Sequence, residues 1–127
     1  ALDFIIRSLK KGNGGEIFIP KLKAYSLEIL KDSILEVLKK DVKTEIISVR
    51  PGEKYHESLI SSEEIRNTFE DDEDYVILQE ELQQTTNQKL KKTSLKNGYS
   101  SDNVELLDKE QIKNILRKEI PEFFRNK

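Results

Sequence analysis

A long amphipathic stretch between two short β-prone runs limits the folds open to this chain. The two β-prone runs are residues 16–19 and residues 44–49. A proline follows each of them, Pro20 after the first and Pro51 shortly after the second. Between them, Ser26 is a candidate N-cap for a helix. The apolar positions that follow it recur at the spacing of one helix face: Leu27, Leu30, Ile34, Val37 and Leu38. Strand, helix and strand in this order predict a right-handed βαβ unit with parallel strands.

Shorter signals predict helices on both sides of this unit. Apolar residues at helical spacing predict an N-terminal helix, which the glycine-rich residues 12–15 end. Ser61 and Glu64 have the spacing of a capping box, which predicts a short helix over about residues 62–69. Asp108 is the predicted N-cap of a C-terminal helix.

The remaining pattern predicts a third strand and a division of the chain. Residues 75–78 are β-prone, whereas residues 79–98 are dominated by Gln, Thr, Asn and Lys. We therefore expect an α/β fold with a small parallel βαβ unit, a third short strand and a C-terminal helix. The expected boundaries are an α/β ligand-binding subdomain over 1–78, a polar arm or linker over 79–98, and a helical tail over 99–127.

Composition excludes several classes of protein. The 127 residues suit one domain or a piece of one. With 22 Lys and Arg against 24 Asp and Glu, the formal net charge of -2 argues against a dedicated nucleic-acid binder. The chain has no cysteine and one histidine, so we expect no disulfide and no metal site. No apolar run approaches the roughly 18 residues of a membrane span.

The first residues predict that the chain is cut from something longer. The sequence starts at Ala1 with apolar residues already at helical spacing, and it carries no signal peptide. We therefore expect a fragment of a cytoplasmic protein.

The strongest candidate site is the segment Arg50-Pro51-Gly52-Glu53-Lys54, at the end of a predicted parallel strand. Ligands in open α/β sheets bind beyond the carboxyl ends of strands. The arginine offers a planar fork suited to phosphate, and the glutamate can accept hydrogen bonds from sugar hydroxyls. An ordinary strand-ending turn with a surface pair of opposite charges explains the same residues, so both interpretations stay open at this point.

Three other features have both a functional and a structural interpretation. His56 could act as an acid or base near pH 7, but a lone exposed histidine is the commoner case. The acidic run 70–74 could bind a hard cation through oxygen ligands, although it lacks the spacing of a calcium loop. The lysines of residues 89–96 lack interleaved aromatics, which favours a solvated or intramolecular role over nucleic-acid binding.

Catalytic motifs are absent from the sequence. There is no Gly-x-Gly-x-x-Gly phosphate loop, no Gly-x-Ser-x-Gly elbow and no lysine four residues after any tyrosine. We therefore expect no catalytic residue and no cofactor site in this chain.

Most of the chain nevertheless resembles one family of enzymes. The residues that carry the resemblance are Gly15-Glu16-Ile17-Phe18-Ile19-Pro20-Lys21, Ser26 with its helix, Arg50-Pro51-Gly52-Glu53-Lys54-Tyr55-His56-Glu57-Ser58-Leu59-Ile60 with Glu63-Glu64, and Tyr99-Ser100-Ser101-Asp102-Asn103. Together they are similar to the C-terminal third of UDP-N-acetylglucosamine 4,6-dehydratases and related epimerases. These are extended short-chain dehydrogenase/reductases of capsule, O-antigen and glycan pathways.

The resemblance implies a substrate-binding role. Arg50 would contact the diphosphate of a UDP-sugar, Glu53 the uridine ribose, and Lys21 would line the same cleft. NAD or NADP and the catalytic Tyr-x-x-x-Lys pair would belong to a Rossmann part that precedes residue 1 and is the expected partner. The parent enzyme would oxidise the sugar at C4, eliminate water across C5 and C6, and return the hydride, while this chain grips UDP.

A second interpretation belongs to another functional class. In this interpretation the chain is a free-standing interaction or oligomerisation module that has no ligand site and binds its partner through the 79–98 arm. In either case we expect self-association, because apolar faces that lack their partner tend to find one.

Overall fold

The computed structural model of the protein describes residues 1–83 and 89–121. Its internal contacts form two compact units that alternate along the chain. The first unit contains Ala1–Leu22 and Glu57–Asn103, and the second contains Lys23–His56 and the chain from Val104 onward. The boundaries expected at 78 and 98 stay a prediction, and residues 84–88 of the expected arm lie outside the described residues.

The first unit contains two small sheets and three helical segments. In chain order the elements are α1 (Leu2–Lys11), β1 (Ile17–Pro20), β2 (Ser58–Ile60), a 3₁₀ turn (Glu64–Asn67), β3 (Thr68–Glu70), β4 (Asp74–Ile77), α2 (Glu80–Gln83), β5 (Lys91–Lys92) and β6 (Tyr99–Ser100). One sheet has the strand order β1-β4-β3-β5, and the other pairs β2 with β6. All of these pairings are antiparallel.

The core of the first unit forms around β4, which lies between two neighbours in the sheet. Phe18 of β1 and Phe69 of β3 are both in register with Val76 of β4. Val76 and Ile60 are fully buried, and Leu78 is almost so. Burial on this scale stabilises a β-branched or leucine side chain by about 1.5–3 kcal/mol, so these positions stabilise the core of the first unit.

Segment 99–103 fixes the chain where it leaves and re-enters the first unit. The Tyr99 hydroxyl hydrogen-bonds to both the amide and the carbonyl of Leu22. The Ser101 hydroxyl accepts a hydrogen bond from the amide of Glu57 at 3.1 Å, and the Ser101 amide donates to the Glu57 carbonyl at 3.0 Å. Segment 99–103 therefore binds both the point where the chain leaves the first unit, at Leu22, and the point where it returns, at Glu57.

The second unit is built on two helices, α3 (Leu27–Leu38) and α4 (Lys109–Glu119), which pack against each other. Ser26 is the N-cap of α3 by backbone geometry, but its side chain makes no capping hydrogen bond. Asp108 caps α4 with a complete capping box, because its carboxylate accepts from the Gln111 amide and the Gln111 side chain accepts from the Asp108 amide. The predicted N-cap at Asp108 is confirmed.

The α/β class, the third strand and the C-terminal helix are confirmed, but the parallel βαβ unit is wrong. Residues 44–49 form no strand, and β1 pairs with β4 in antiparallel orientation instead. Residues 41–49 make no backbone hydrogen bond to the rest of the described chain, and Ile46 is 95% exposed. A β-prone run becomes a strand only when another strand satisfies its amides and carbonyls, and none of the described strands does so for residues 44–49.

The acidic run also differs from expectation, because it is the turn of a hairpin. Asp71 Oδ1 accepts hydrogen bonds from the amides of Glu73 and Asp74, both at 2.8 Å, and this side-chain turn joins β3 to β4.

The short helix expected over 62–69 is a single 3₁₀ turn followed by β3. Across the described residues, no helix is long and apolar enough to span a membrane.

Candidate functional site

The segment that begins at Arg50 is a closed type II turn. Pro51 occupies the position where φ must be near −65°, and Gly52 has φ 88°, which favours glycine. The Glu53 amide donates to the Arg50 carbonyl at 3.1 Å, and the Glu53 carboxylate accepts from the Arg50 amide at 2.8 Å. Two hydrogen bonds between Arg50 and Glu53 therefore close the turn, and both of them use a backbone group of Arg50.

This arrangement leaves the charged groups of the turn facing solvent. Arg50 and Glu53 are both exposed. Within the described residues, the Arg50 guanidinium makes no ion pair, and only Oε2 of Glu53 is hydrogen-bonded. An exposed guanidinium can bind phosphate with two parallel hydrogen bonds, and a free carboxylate oxygen can accept one from a hydroxyl.

The predicted position of Arg50 after a strand is wrong. Arg50 does not lie at the carboxyl end of a parallel strand, because residues 44–49 form none. The prediction of the turn itself is correct, since proline followed by glycine specifies it locally.

Lys21 follows β1 and is used inside the first unit. Its Nζ lies 2.8 Å from Glu70 Oε2, donates to the Asp71 carbonyl at 2.6 Å, and stands 4.9 Å from the centre of the Tyr75 ring. Burial by itself would raise the pKa of Glu70, but the hydrogen bonds from Lys21 and Ser94 outweigh it and lower that pKa. The charge of Lys21 is therefore already partnered.

The predicted site residues belong to different units. The structure brings Arg50 and Glu53 into one turn of the second unit, whereas Lys21 belongs to the first. The assignment of Lys21 to a substrate cleft stays a prediction. His56, the other candidate near the turn, is exposed.

An ionic cluster that was not predicted from the sequence anchors α1. Arg7 binds the fully buried Asp74 carboxylate with two hydrogen bonds, from Nε at 2.9 Å and from Nη2 at 2.7 Å. Lys11 Nζ contacts Asp71 at 2.7 Å and Asp74 at 3.1 Å. The Arg7 guanidinium holds the pKa of Asp74 below its ordinary value, although burial opposes it.

A signal for this cluster was present in the sequence. Arg7 and Lys11 are four residues apart, so they share one face of α1, opposite its apolar stripe. The acidic run 70–74 is the longest run of opposite charge in the sequence, so the charge pattern could have paired it with them. With its acids engaged in this way, the run is an internal anchor. In the described part of the chain, no group of three or more His, Asp or Glu could hold a metal ion.

The glycine-rich segment after α1 does not fit a dinucleotide. Phosphate loops place the diphosphate at a helix N-terminus, where free amides and the helix dipole favour an anion. Here the glycines follow the C-terminus of α1, where the dipole has the opposite sign. The Glu16 carboxylate already accepts hydrogen bonds from the amides of Asn13 at 3.0 Å and Gly14 at 2.8 Å. An NAD or NADP site would need other residues than these.

Comparison with known proteins identifies the family. The family model described as "Polysaccharide biosynthesis protein" matches residues 1–80, which is more than half of the chain. The chain belongs to this polysaccharide-biosynthesis family. The resemblance stated from the sequence is thereby confirmed at the level of the family.

The relatives that this chain matches are much longer than the chain itself. The chain is 30% identical over 121 residues to a UDP-glucose 4-epimerase of Rickettsia rickettsii, and this match covers 91% of the chain and 35% of that enzyme. It is 32% identical over 124 residues to an uncharacterized membrane protein of Methanocaldococcus jannaschii, again over 35% of the relative. The chain thus spans about a third of the relatives it matches.

A solved structure supports the fold. The X-ray structure of Pen from Bacillus thuringiensis matches with a TM-score of 0.74 and 31% sequence identity, covering 91% of this chain and 33% of Pen. The α/β arrangement described above is therefore shared with a polypeptide about three times the length of the matched region.

Proposed function

We propose that this chain is the nucleotide-sugar-binding portion of a polysaccharide-biosynthesis epimerase or 4,6-dehydratase. Two findings support the proposal: the family, and the relatives named UDP-glucose 4-epimerase that align over nearly all of the chain. The observation that carries it is the closed turn at Arg50, which presents a carboxylate three residues from a guanidinium that forms no ion pair in the described part of the chain.

In this proposal the turn grips the UDP part of the substrate. Arg50 binds the diphosphate, because its planar fork matches two phosphate oxygens. Glu53 accepts a hydrogen bond from a ribose hydroxyl through the oxygen that the turn does not use. Closure of the turn by the proline, the glycine and the Glu53 carboxylate fixes the backbone that carries both side chains before the ligand arrives, which lowers the entropy cost of binding. Lys21 is the weaker member of the set, since Glu70 already pairs with its ammonium.

The chain itself contributes binding to the reaction. NAD or NADP would supply the hydride chemistry in the parent enzyme, and the glycine-rich segment after α1 does not fit that group. The residues of the turn hold and orient the nucleotide so that the sugar is presented to groups elsewhere in the enzyme. We further propose that a UDP-sugar is the substrate, with a 4-epimerase and a 4,6-dehydratase as the two candidate activities.

Titration of the isotope-labelled chain with UDP, followed by the backbone amide resonances, tests the binding role. We expect the largest shifts at residues 50–54. Arg50→Ala should weaken UDP binding by roughly ten- to a hundredfold, because a hydrogen bond to a charged group contributes about 1.5–3 kcal/mol. Lys54→Ala is the matched control, since it removes a neighbouring exposed cation and should leave most of the affinity.

A second ligand separates the two proposed contacts. Uridine has the ribose but no phosphate, so Arg50→Ala should bind it as the unsubstituted chain does, whereas Glu53→Ala should bind it more weakly. If UDP shifts no resonance at residues 50–54, or if Arg50→Ala and Lys54→Ala bind UDP equally, the turn is a structural corner. The interpretation as an interaction module would then replace the proposal.

A further inference from the structure

Two asparagine–glycine pairs lie in connecting segments of the first unit, away from the proposed nucleotide-binding turn. Asn13-Gly14 lies between α1 and β1, and Asn97-Gly98 directly precedes β6. Glycine has no Cβ, so its backbone nitrogen can approach the side-chain carbonyl of the asparagine before it. The two pairs therefore offer the same covalent reaction in two different surroundings.

This reaction is the loss of ammonia from the asparagine side chain. The backbone nitrogen of the glycine gives its proton to hydroxide and attacks Cγ of the asparagine. The side-chain nitrogen takes a proton from water and leaves as ammonia, so that a cyclic imide remains. Water then opens the imide at either carbonyl, which gives aspartate or isoaspartate. The only co-reactant is water, and no electron is transferred.

The surroundings of Asn13-Gly14 give this reaction the room that it needs. Both residues are exposed, and a Cβ placed on Gly14 would meet no heavy atom within 4 Å. The backbone at Gly14 can therefore rotate without a clash while its nitrogen approaches the asparagine side chain.

Packing protects Asn97-Gly98. Gly98 is buried, and a Cβ placed on it would lie 2.6 Å from the Ile60 carbonyl oxygen. The Gly98 carbonyl accepts a hydrogen bond from the Asn103 side chain at 3.4 Å, and Tyr99, which follows it, is buried in β6. Rotation of the backbone at Gly98 would break these contacts, so the folded chain disfavours the reaction there.

The Glu16 carboxylate contacts the reacting nitrogen of the exposed pair. It accepts hydrogen bonds from the Gly14 amide at 2.8 Å and from the Asn13 amide at 3.0 Å. Burial alone would raise the pKa of Glu16, but hydrogen bonds from these amides, its own amide and the Asn13 side chain lower it, so the group is ionised near neutral pH. An anion that accepts from an amide stabilises the protonated nitrogen and repels the negative charge that deprotonation creates. Glu16 therefore slows the reaction.

We propose that Asn13 is a site of spontaneous deamidation in the folded chain, with Gly14 as the source of the attacking nitrogen and Glu16 as a restraint on the rate. The product adds a negative charge beside Glu16 and close to the C-terminus of α1, where the helix dipole disfavours an anion. An isoaspartate product also lengthens the backbone between α1 and β1 by a methylene group. The modification thereby weakens the connection between the helix and the sheet.

Incubation of the full chain at neutral pH, followed by peptide mapping with mass spectrometry, tests the proposal. Each deamidation adds about 1 Da to the peptide that contains it. In the folded chain, deamidation should be at least about tenfold faster at Asn13 than at Asn97, because only Asn97-Gly98 must lose packing first. In urea the two rates should become similar, since both pairs are then unpacked. A sample digested without incubation gives the background.

Glu16→Gln tests the restraint. It keeps the length of the side chain and removes its charge, so deamidation at Asn13 should become about two- to tenfold faster. The rate at Asn97 should not change, and it also reports whether the variant is folded. Glu80→Gln is the matched control, because it removes an exposed carboxylate elsewhere in the first unit and should leave both rates unchanged.

The results that would overturn the proposal are equally specific. Equal rates at Asn13 and Asn97 in the folded chain would show that packing does not decide where the reaction occurs. An Asn13 that reacts in urea but stays intact in the folded chain would exclude it as a site of the folded protein. A rate at Asn13 that is unchanged or lower in Glu16→Gln would refute the role of Glu16.

Discussion

Replacing Asp74 with asparagine removes the charge on which the attachment of α1 depends. The Asp74 carboxylate is fully buried and receives hydrogen bonds from Arg7 at 2.7 and 2.9 Å and from Lys11 at 3.1 Å. Asparagine has nearly the same shape as aspartate, but it has one acceptor oxygen instead of two. Its amide NH₂ group would place hydrogen-bond donors against the donors of Arg7 and Lys11. Breaking a buried ion pair costs about 3–5 kcal/mol. Since Arg7 and Lys11 are about a quarter exposed and water can reach them, we expect a loss of about 2–4 kcal/mol.

Urea unfolding, with the helix signal as probe, measures this loss, and Glu73→Gln is the control. Glu73 neighbours Asp74 and also contacts Arg7 and Lys11, at 3.5 and 3.4 Å, but its side chain is 56% exposed. Exposed pairs contribute about 0–1 kcal/mol. If Asp74→Asn and Glu73→Gln lower the free energy of unfolding equally, burial is not what gives the Asp74 pair its strength and the reasoning fails.

The same cluster predicts how stability changes with pH. Because Arg7 and the other cations lower the folded-state pKa of Asp74 below its ordinary value of 3.8, the stabilising contribution is fully present above that value. It is lost as pH falls through the lower folded-state pKa. Unfolding followed between pH 5 and pH 2 should therefore show a loss of stability that Asp74→Asn reduces, and equal acid sensitivity of the two proteins would contradict the assignment.

Three further predictions concern the backbone and the activity. Gly98→Ala should lower the free energy of unfolding by more than about 1 kcal/mol, because φ is 92° and a Cβ would lie 2.6 Å from the Ile60 carbonyl oxygen; Gly14→Ala, with φ 111° and open space, should cost less in the same urea experiment. Asp108→Ala should lower stability by about 1 kcal/mol in thermal unfolding through loss of the bond to the Gln111 amide. The chain alone should form no 4-keto sugar from UDP-N-acetylglucosamine with NAD or NADP, and detection of that product in a single-turnover assay would refute the binding-only role.

Local signals predicted the three long helices and the strands β1 and β4, because the information that forms these elements is largely local. The helix that Asp108 caps, and the turn at Arg50, are specified by residues within a few positions of each other. The strand expected over residues 44–49 failed for the opposite reason. Its β-propensity is real, but a strand depends on a partner that sequence spacing cannot supply.

The ionic cluster escaped prediction because its members are distant in sequence. Arg7 and Asp74 are 67 residues apart, and their meeting depends on where β4 lies in the sheet. For the candidate site, the sequence supplied the turn and its charged residues. The packing of Lys21 against Glu70 and Tyr75 became visible only in the folded chain.

Because the two units alternate along the chain, a single cut can divide both of them. A single break within the exposed residues 41–50 would put β1 and α3 on one piece and β4 and α4 on the other. Each unit would then be divided between the pieces, since β1 pairs with β4 and α3 packs on α4. The Tyr99 hydroxyl on one piece also holds the Leu22 backbone on the other. Neither piece can rebuild a unit alone, and two separately expressed halves should recover their structure only when mixed.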